Sequence, residues 1–426
     1  MNILVVGGGS WDDTSSLGNT FSNFFANWEN ANFYNLYFRN TRPNNSVCEN
    51  YFKITTKELA KKIISPKKIG EFFRFSKQNV VEEDIVGAKE KRAISVIHKY
   101  NLKFVYDVED LLWSFNGWKN KNLDEFIELA DPDVIFTFAA GNVNITRSVE
   151  YIKSKTNAKL VLLVADDIHT AYRLSSNRHH KRLRNGLDRM IGLADKVYGI
   201  SRDMCDYYHN IYGVDMIPLY KGCSFENEPM PTVNKPIKIV YAGNLQLGRF
   251  DTIVDLIQCL DKLNHNGISV TLDVYSATLI DDEQREQLNF GNISKFHGGI
   301  SYNEVKKKMS EADIVLHVES FDKKEMEKVR YSFSTKIIDC LQSGSVMLAI
   351  GPEGISSIEY PKEIPGAIVV DNLTKMYDVL NDSLENEKDL VLRAEQIRSF
   401  AIERHSIDNV RKSLQQNFID LCNVSK

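Results

Sequence analysis

Short apolar runs alternate with longer amphipathic stretches along most of the chain. The runs are apolar on both faces and are separated by helix-length segments, which is typical of a parallel sheet covered by helices on both sides. The predicted strands in the first half are Ile3–Val6, Phe33–Phe38, Lys103–Tyr106, Val134–Phe138, Leu160–Val164 and Val197–Ile200. In the second half they are Ile237–Tyr241, Ser269–Val274, Lys295–His297, Ile314–Val318 and Val346–Ile350. Two helical stretches, about 388–403 and 405–422, close the chain.

The pattern is interrupted once, at residues 224–236, where the sequence SFENEPMPTVNKP contains three prolines. Proline at this density ends helices and sheets, so we predict a linker. The sequence therefore predicts two α/β domains, residues 1–225 and 237–404, followed by a final helix within 405–426. The cleft between two such domains is the first place to expect a site.

Composition narrows the class of protein. Among 426 residues, 53 are lysine or arginine and 57 are aspartate or glutamate, so the net charge of −4 argues against a dedicated nucleic-acid-binding protein. A hydrophobic content of 43% indicates a folded chain. The six cysteines form no C-x-x-C pair, no signal peptide is recognisable and no apolar run approaches the ~20 residues of a membrane span. We expect a cytoplasmic protein.

The second domain contains two segments that suit a phosphate ligand. Gly243 and Asn244 follow its first strand, where small residues leave the backbone accessible, and Arg249 opens the next helix. Further on, Ser334 and Thr335 are predicted to cap a helix, and Lys336 adds a positive charge. The alternative for each segment is structural, namely a glycine turn and a capped core helix.

Asp339 lies one helical turn after Lys336, on the same face and within reach of a ribose diol. Together with the preceding cap, this arrangement would suit a diphosphate that has a ribose behind it.

The first domain has less specific candidates. Gly8 and Gly9 follow strand one, but Asp12 stands where a G-x-G-x-x-G motif has its last glycine, so the loop is either a tight turn or a substrate contact. Asp167 and His169, with Asp166, end a buried strand and could act in acid–base chemistry, bind sugar hydroxyls or cap a helix.

Two basic segments also lie in the first domain, at residues 57–77 and 173–189. The first interleaves lysines with aromatic residues, which suits an interfacial membrane segment or, alternatively, ordinary helices packed on the domain. The second begins at Arg173 and is either a solvated helix face or a contact for an anionic acceptor.

Several stretches in this order resemble GT-B glycosyltransferases, above all the large retaining group often called family 4, which includes bacterial capsule and exopolysaccharide enzymes. The similar stretches are YAGNLQLGR (241–249), VYSATLIDDEQREQL (274–288), ISKFHGGISYNEVKKKMSEADIVLHV (293–318), FSTKIIDCLQSGSVMLAIGPEG (333–354), AKLVLLVADDIH (158–169) and LADKVYGISRDMCDYY (193–208). The resemblance covers most of the chain.

The resemblance implies an α/β protein of GT-B architecture, with two Rossmann-like domains that face a central cleft. The N-terminal domain would bind the acceptor, the second domain would bind a nucleotide-sugar, a UDP-sugar by preference, and the final helix would cross back to the first domain. The implied donor-binding residues are Gly243, Asn244, Arg249, His297, Gly298, Ser334, Thr335, Lys336 and Asp339. Asp167 and His169 would be catalytic, and Gly8, Gly9 and Arg173 would meet the acceptor or the sugar.

The implied activity is retaining sugar transfer without a bound metal or other cofactor, in surface polysaccharide biosynthesis. The acceptor would be a glycan or a polyprenyl-diphosphate-linked oligosaccharide, with the enzyme in the cytoplasm or peripheral at the inner membrane surface. The sequence departs from the family at Tyr331, eight residues before Asp339, where an E-x7-E pair has its first glutamate. Two alternatives stay open: a sugar-nucleotide 2-epimerase, which shares the same fold, and a non-catalytic partner of another glycosyltransferase, which the departure at Tyr331 motivates.

Overall fold

The computed structural model describes residues 1–64, 69–76, 104–169, 177–225 and 233–423. The chain divides into two compact units. Unit 1 comprises Met1–Tyr220 together with Asp408–Lys426, and unit 2 comprises Lys221–Ile407. Each unit is built on its own, mostly parallel sheet, so the two-sheet α/β architecture that the apolar runs predict is confirmed.

Unit 1 contains eight strands in its described part, in the spatial order β4-β3-β2-β1-β5-β6-β7-β8. They are β1 (Asn2–Gly7), β2 (Asn32–Tyr37), β3 (Asn50–Lys53), β4 (Glu71–Arg74), β5 (Val134–Phe138), β6 (Lys159–Val164), β7 (Lys196–Gly199) and β8 (Met216–Pro218). Neighbouring strands are parallel except for the edge pair β3 and β4. The central strand β1 is apolar on both faces and almost entirely buried, as a strand covered by helices on both sides must be.

The helices of unit 1 lie between these strands. They are α1 (Ser16–Phe25), α2 (Thr56–Ile64), α3 (Phe104–Ser114), α4 (Lys121–Ala130), α5 (Val143–Lys155), α6 (Asn177–Leu193) and α7 (Arg202–Tyr212), with a 3-10 turn at Asn116–Trp118. Short polar side chains begin several of them: Ser15, Asn120 and Ser201 each accept a hydrogen bond from a backbone N–H of the first turn.

Unit 2 has six parallel strands in its described part, in the spatial order β11-β10-β9-β12-β13-β14. They are β9 (Ile237–Ala242), β10 (Val270–Tyr275), β11 (Ser294–Gly298), β12 (Ile314–Val318), β13 (Val346–Ile350) and β14 (Ile368–Val370). The helices are α8 (Arg249–His265), α9 (Asp282–Leu288), α10 (Tyr302–Ser310), α11 (Lys323–Val329), α12 (Lys336–Gln342), α13 (Ser356–Lys362), α14 (Met376–Leu384) and α15 (Glu387–His405). Counted from the first strand, the order is 3-2-1-4-5-6, that of the doubly wound Rossmann sheet.

The last helix, α16 (Ile407–Asn423), belongs to unit 1 over nearly all of its length. Phe418 is buried among aromatic residues of the unit 1 core, with its ring centroid 5.3 Å from that of Trp28. The Arg411 guanidinium donates to the Asn23 carbonyl at 2.8 Å, which fixes the helix against α1. The C-terminal segment is therefore an integral layer of unit 1.

One predicted strand is wrong. Residues 103–106 were expected to be a strand, but α3 begins at Phe104, because the apolar positions of this segment continue at helical spacing through Val108, Leu111 and Leu112. Four short strands, β3, β4, β8 and β14, do not stand out as apolar runs. Three of them, β4, β8 and β14, lie at a sheet edge, where one partner strand and a few residues suffice, and β3 lies next to an edge.

Candidate functional site

In each sheet the chain order reverses beside the first strand of the unit, and such a reversal opens a crevice at the carboxyl ends of the strands where ligands bind. In unit 2 the crevice lies between β9 and β12, which are paired through Ile239 and Ile314. Gly243 and Asn244 follow β9, and Glu319 follows β12. The Gly243 and Asn244 predictions therefore fall at the position where a doubly wound sheet holds its ligand.

Arg249 is the most heavily bonded side chain of this crevice. It is 9% exposed, and its Nη2 lies 2.9 and 3.1 Å from the two carboxylate oxygens of Glu319. Its Nη1 donates to Asn244 Oδ1 at 2.8 Å and its Nε to the Val318 carbonyl at 3.1 Å. Arg249 opens α8, as predicted, but its charge already has a buried carboxylate partner.

Glu319 is buried at 2% exposure and is held by more than Arg249. The Ser357 hydroxyl donates to its Oε1 at 3.2 Å. Burial raises the pKa of this carboxyl, whereas Arg249 and Ser357 act in the opposite direction. Glu319 is a site residue that the sequence patterns did not single out; its only sign was a lone carboxylate directly after an apolar strand.

Lys336 is the second cation of the crevice, and it reaches the loop after β9. Its Nζ lies 5.0 Å from the centre of the Tyr241 ring, on the ring face. A Cβ on Gly243 would collide with the same ammonium, so a side chain there would force the lysine to move from this position. Within the described residues the Lys336 ammonium makes no hydrogen bond or ion pair. Burial and then the Arg249 charge lower its pKa to about 8.

The loop after β9 is shaped by a second glycine. Gly248 has a φ of 70°, a left-handed conformation that L side chains rarely adopt, and a Cβ there would strike the Ser320 hydroxyl. The Tyr241 hydroxyl donates to the Asn244 carbonyl at 2.5 Å. These contacts hold the loop 243–248 close to the end of β12.

The predicted cap before Lys336 is wrong. Thr335 occupies the N-cap position of α12, but its side chain makes no capping hydrogen bond and its backbone is already helical. The Ser334 carbonyl accepts from Ile337 N at 3.0 Å, so a turn of backbone bonds takes the place of the cap. Thr335 is exposed and Ser334 half-buried.

Asp339 lies one turn after Lys336 in α12, as predicted. The Tyr302 hydroxyl donates to its Oδ1 at 3.3 Å. Burial raises the pKa of the carboxyl, and Lys221, Lys306 and Lys336 oppose that shift. Asp339 is thus an acid with cations around it and one hydroxyl donor.

His297 and Gly298 lie at the end of β11, two strands from β9. His297 Nε2 lies 2.6 Å from Asp273 Oδ1, and its ring stacks on Tyr275 at 4.6 Å between centroids. Gly298 has a φ of 77°, and a Cβ there would meet no heavy atom within 4 Å. The structure therefore gives His297 a clear role in joining β10 and β11, with open space beside Gly298.

In unit 1, Gly8 and Gly9 follow β1 at the corresponding crevice. Neither has a positive φ, and a Cβ on Gly8 would meet no heavy atom within 4 Å. The helix α1 begins only at Ser16, so it does not directly follow the glycines as the turn-to-helix pattern predicts. The loop between them is fixed by Ser10, whose N–H and hydroxyl both lie 2.9 Å from Thr41 Oγ1.

Asp167 and His169 are already engaged within unit 1. Asp167 is 4% exposed, and its Oδ1 accepts from His169 N at 3.0 Å and from the Tyr208 hydroxyl at 3.3 Å. Arg184 Nη2 lies 3.0 Å from His169 Nε2, and because a guanidinium only donates, Nε2 is the accepting nitrogen. The ring proton then lies on Nδ1, 3.3 Å from the Tyr207 hydroxyl.

Burial and the nearby Arg184 charge lower the pKa of His169, in keeping with a neutral ring. Arg173, the remaining predicted contact, lies outside the described residues.

A cavity of about 210 Å³ opens beside this cluster, at the carboxyl ends of β5 and β6. Its wall combines apolar groups with the polar side chains of Asn142, Asp166 and His180. Asp166 is exposed, unlike its neighbour Asp167. Both carboxylates line the cavity, but Asp166 is the exposed one of the two, although the sequence patterns favoured Asp167.

The two basic segments are less available than their charge suggests. In the segment 57–77, Leu59 and Ile69 are buried, and Phe73 and Phe75 pack against the unit 1 core, whereas Phe72 is 40% exposed. Of the three phenylalanines of this segment, only Phe72 is thus exposed. Residues 65–68 and 77 of this segment lie outside the described residues.

In the second segment, several cations have carboxylate partners. Arg182 is bound to Asp107 and to Asp110, the latter at 2.7 Å, and Arg189 lies 2.8 Å from Glu150. Arg182 and Arg189 are thus neutralised within unit 1, whereas Arg178 and Lys181 are exposed.

The chain is similar in fold to several proteins of known structure. No protein-family model matches the sequence, and no curated protein sequence does. HepE from Anabaena, solved with UDP, is similar over 99% of this chain and 100% of its own, at 12% identity and a TM-score of 0.60. A trehalose-phosphate synthase (UDP-forming) from Burkholderia xenovorans is similar over 98% and 100%, at 9% identity and a TM-score of 0.56. The fold is GT-B.

TarM is a further structure with this likeness. It matches 69% of this chain at 13% identity and a TM-score of 0.50, and the match spans 55% of TarM itself. At such low identities the likeness concerns the fold. The GT-B architecture that the ordered stretches of sequence implied is thereby confirmed.

The described part of the chain contains neither a metal-binding cluster nor a membrane-spanning helix. No group of three or more His, Cys, Asp or Glu side chains in that part of the chain could hold a metal ion. None of its helices is long and apolar enough to span a membrane.

Proposed function

We propose that the chain is a glycosyltransferase that transfers a sugar from a UDP-sugar to a glycan or lipid-linked acceptor, with retention and without a metal, in surface polysaccharide synthesis. The observation that carries the proposal is the Lys336 ammonium, unpaired among the described residues and lying over Gly243 at the crevice of a Rossmann sheet. An ammonium without a partner at a ligand-binding crevice suits a polyanion, and a diphosphate is one.

The donor side of the reaction follows from this charge. Lys336 would bind a diphosphate oxygen, and Asp339 on the same helix would accept from a ribose hydroxyl. As the bond between the anomeric carbon and the diphosphate breaks, negative charge grows on the leaving oxygen, and a fixed ammonium there lowers the barrier. Uridine as the base is supported by the UDP of HepE and of the UDP-forming synthase.

Retention is proposed on the resemblance to family 4. The acceptor oxygen would bond to the anomeric carbon on the face that the diphosphate leaves, and the acceptor proton would pass to the departing phosphate oxygen. No protein base is needed in such a step. That suits unit 1, where Asp167 is buried and the accepting nitrogen of His169 is taken by Arg184.

We propose the acceptor site at the unit 1 cavity. Asp166, Asn142 and His180 supply polar groups for sugar hydroxyls, and about 210 Å³ is room for a single sugar ring with its neighbouring atoms. Gly8, Gly9 and Arg173 keep their place in the proposal as further acceptor contacts.

A lipid-linked acceptor would bring the enzyme to the inner membrane surface. The exposed side chains of Lys57 and Lys61, one helical turn apart on α2, support an electrostatic contact with anionic lipid. Because the nearby aromatics are mostly packed inward, this contact would rest on charge more than on insertion.

The two alternatives make different demands. An epimerase needs groups that move protons at the sugar, and the cluster that could supply them is largely engaged in unit 1. A non-catalytic partner has no need of a lysine at the crevice that lacks a hydrogen-bond or ion-pair partner among the described residues.

The test is incubation with UDP-sugars, with and without glycan acceptors, while UDP release and the anomeric configuration of the product are followed by NMR. Transfer with retention supports the proposal. An epimerised nucleotide-sugar in the absence of acceptor, or no binding of any nucleoside diphosphate, contradicts it.

A further inference from the structure

The crevice of unit 2 contains a buried ion pair directly beside the proposed donor lysine. Arg249 and Glu319 meet through both carboxylate oxygens, with their side chains 10% and 3% exposed. Arg249 is also held by Asn244 Oδ1 and the Val318 carbonyl, and the Glu319 backbone carbonyl accepts from the Thr252 hydroxyl at 3.2 Å. The guanidinium is thus held from several sides.

The charges of this cluster do not cancel. Arg249 and Glu319 neutralise each other, and their bidentate geometry is the strong form of such a pair. Lys336 is left with its charge uncompensated by contact, and the neighbouring His317 is 1% exposed, with a pKa well below its usual value because of burial, so it is neutral. The net charge offered at the crevice therefore depends on one ammonium.

We propose that Glu319 is a positioning residue, which fixes and neutralises Arg249 so that Lys336 is the cation that sets the affinity for the diphosphate. This inference rests on the proposed function. In this proposal Arg249 shapes the loop after β9 by binding Asn244, and Lys336 is the cation for the diphosphate. The sequence resemblance, in contrast, assigns both cations to donor binding.

The charged and titratable groups around Lys336 come from several elements. Arg249 of α8 lowers its pKa, whereas Glu319 after β12, and Cys340 and Asp339 of α12, raise it. Tyr241 of β9 lies under the ammonium, and its own pKa is raised by burial, so it stays a neutral phenol. His317 of β12 is neutral as well.

The sign of the pH dependence follows. Because the pKa of Lys336 is lowered to about 8, the ammonium is charged below that pH and loses its proton above it. UDP affinity should therefore be level below about pH 8 and fall by up to about tenfold per pH unit above it. The pH at which the affinity begins to fall is called the break below.

The experiment is calorimetric titration of the full chain with UDP between pH 6.5 and 9.5. The nucleotide's own titrations are common to all variants and cancel in the comparison. In Glu319→Gln the break should move down by about one pH unit, because a negative neighbour of Lys336 is lost. In Lys336→Arg the break should vanish, since a guanidinium stays charged throughout this range. Glu385→Gln, an exposed carboxylate of unit 2, is the matched control and should leave the break in place.

Arg249→Gln should shift the break in the opposite direction from Glu319→Gln. It keeps the test decisive if Glu319→Gln does not fold. Removing this cation should move the break to higher pH, even though the overall affinity falls. If both variants bound UDP more weakly but their breaks stayed at the wild-type pH, the ion pair would have only a structural role. That result would overturn this inference and leave the proposed function intact. No UDP binding by the folded wild-type chain would overturn the proposed function with it.

Discussion

The crevice beside β9 in unit 2 and the crevice beside β1 in unit 1 have the same topological origin but different chemistry. In unit 2, ionised side chains converge on the loop after the first strand, and one of them, Lys336, has no hydrogen-bond or ion-pair partner among the described residues. In unit 1, two of the ionisable groups near the strand ends are engaged within the unit: Asp167 accepts two hydrogen bonds, and His169 faces Arg184 and Tyr207.

Because of this difference, the two crevices are suited to different classes of ligand. An uncompensated cation beside a bare glycine loop suits a compact anion, for which affinity comes from charge. A cavity of about 210 Å³ with mixed apolar and polar walls suits a neutral sugar, for which selectivity comes from hydrogen bonds. If the comparison holds, changes in the two crevices should affect different substrates.

The largest effect is expected for Lys336→Ala. Loss of the ammonium should weaken UDP binding about 100-fold, since a hydrogen bond to a charged group contributes about 1.5–3 kcal/mol. Calorimetric titration measures it, and Lys375→Ala, an exposed lysine of the same unit, is the control. Equal affinities in the two variants would remove Lys336 from the donor site.

The two glycine loops allow a matched pair of substitutions. Gly243→Ala should lower UDP affinity about tenfold, because its methyl group would displace the Lys336 ammonium and crowding of this kind costs about 1–3 kcal/mol. Gly8→Ala should leave UDP affinity unchanged, because a methyl group there has open space. The prediction would be contradicted if both variants bound UDP like the wild type, or if Gly8→Ala bound UDP more weakly than Gly243→Ala.

The two adjacent aspartates of unit 1 should separate substrate contact from stability. Asp166→Asn should raise the acceptor KM by about fivefold, the loss of roughly one hydrogen bond, without a change in UDP binding. Asp167→Asn should lower the free energy of unfolding by about 1–2 kcal/mol, since its buried carboxylate is partnered. Steady-state kinetics and urea unfolding measure the two quantities, and an exchange of the two results would contradict the assignment.

The smallest effect concerns the outer surface of unit 1. Replacing Lys57 with alanine should reduce binding to anionic vesicles about fivefold, since a lysine near such a surface contributes about 1 kcal/mol. Vesicle co-sedimentation at two salt concentrations measures it. A wild-type chain that does not sediment with vesicles would argue against the membrane contact.

The fold could be predicted well from the sequence, because most of its strands appear there as continuous apolar runs. Strands such as Val346–Ile350 are buried on both faces and bounded by glycines, so their pattern is unambiguous. The segment 103–106 was misassigned because a four-residue apolar run does not distinguish a strand from the first turn of a helix. The short edge strands lack a run long enough to recognise.

The site was predicted only in part, for a different reason. Gly243, Asn244, Arg249 and Lys336 follow recognisable turns and do lie at the unit 2 crevice. Pairing is not visible in a sequence, so the partnership of Arg249 with Glu319, 70 residues apart, could not be foreseen. The same holds for Asp166 and Asp167: although they are neighbours in the sequence, Asp166 is exposed and Asp167 is buried.

Hydrogen–deuterium exchange of the full chain with saturating UDP tests the central claim most directly, because it asks which crevice the nucleotide occupies. We predict slower exchange in residues 241–249 and 332–342 of unit 2, and no change in residues 7–12, 138–142 and 165–169 of unit 1. Protection confined to the unit 1 segments, or no protection in the unit 2 segments, would contradict the donor site at Lys336.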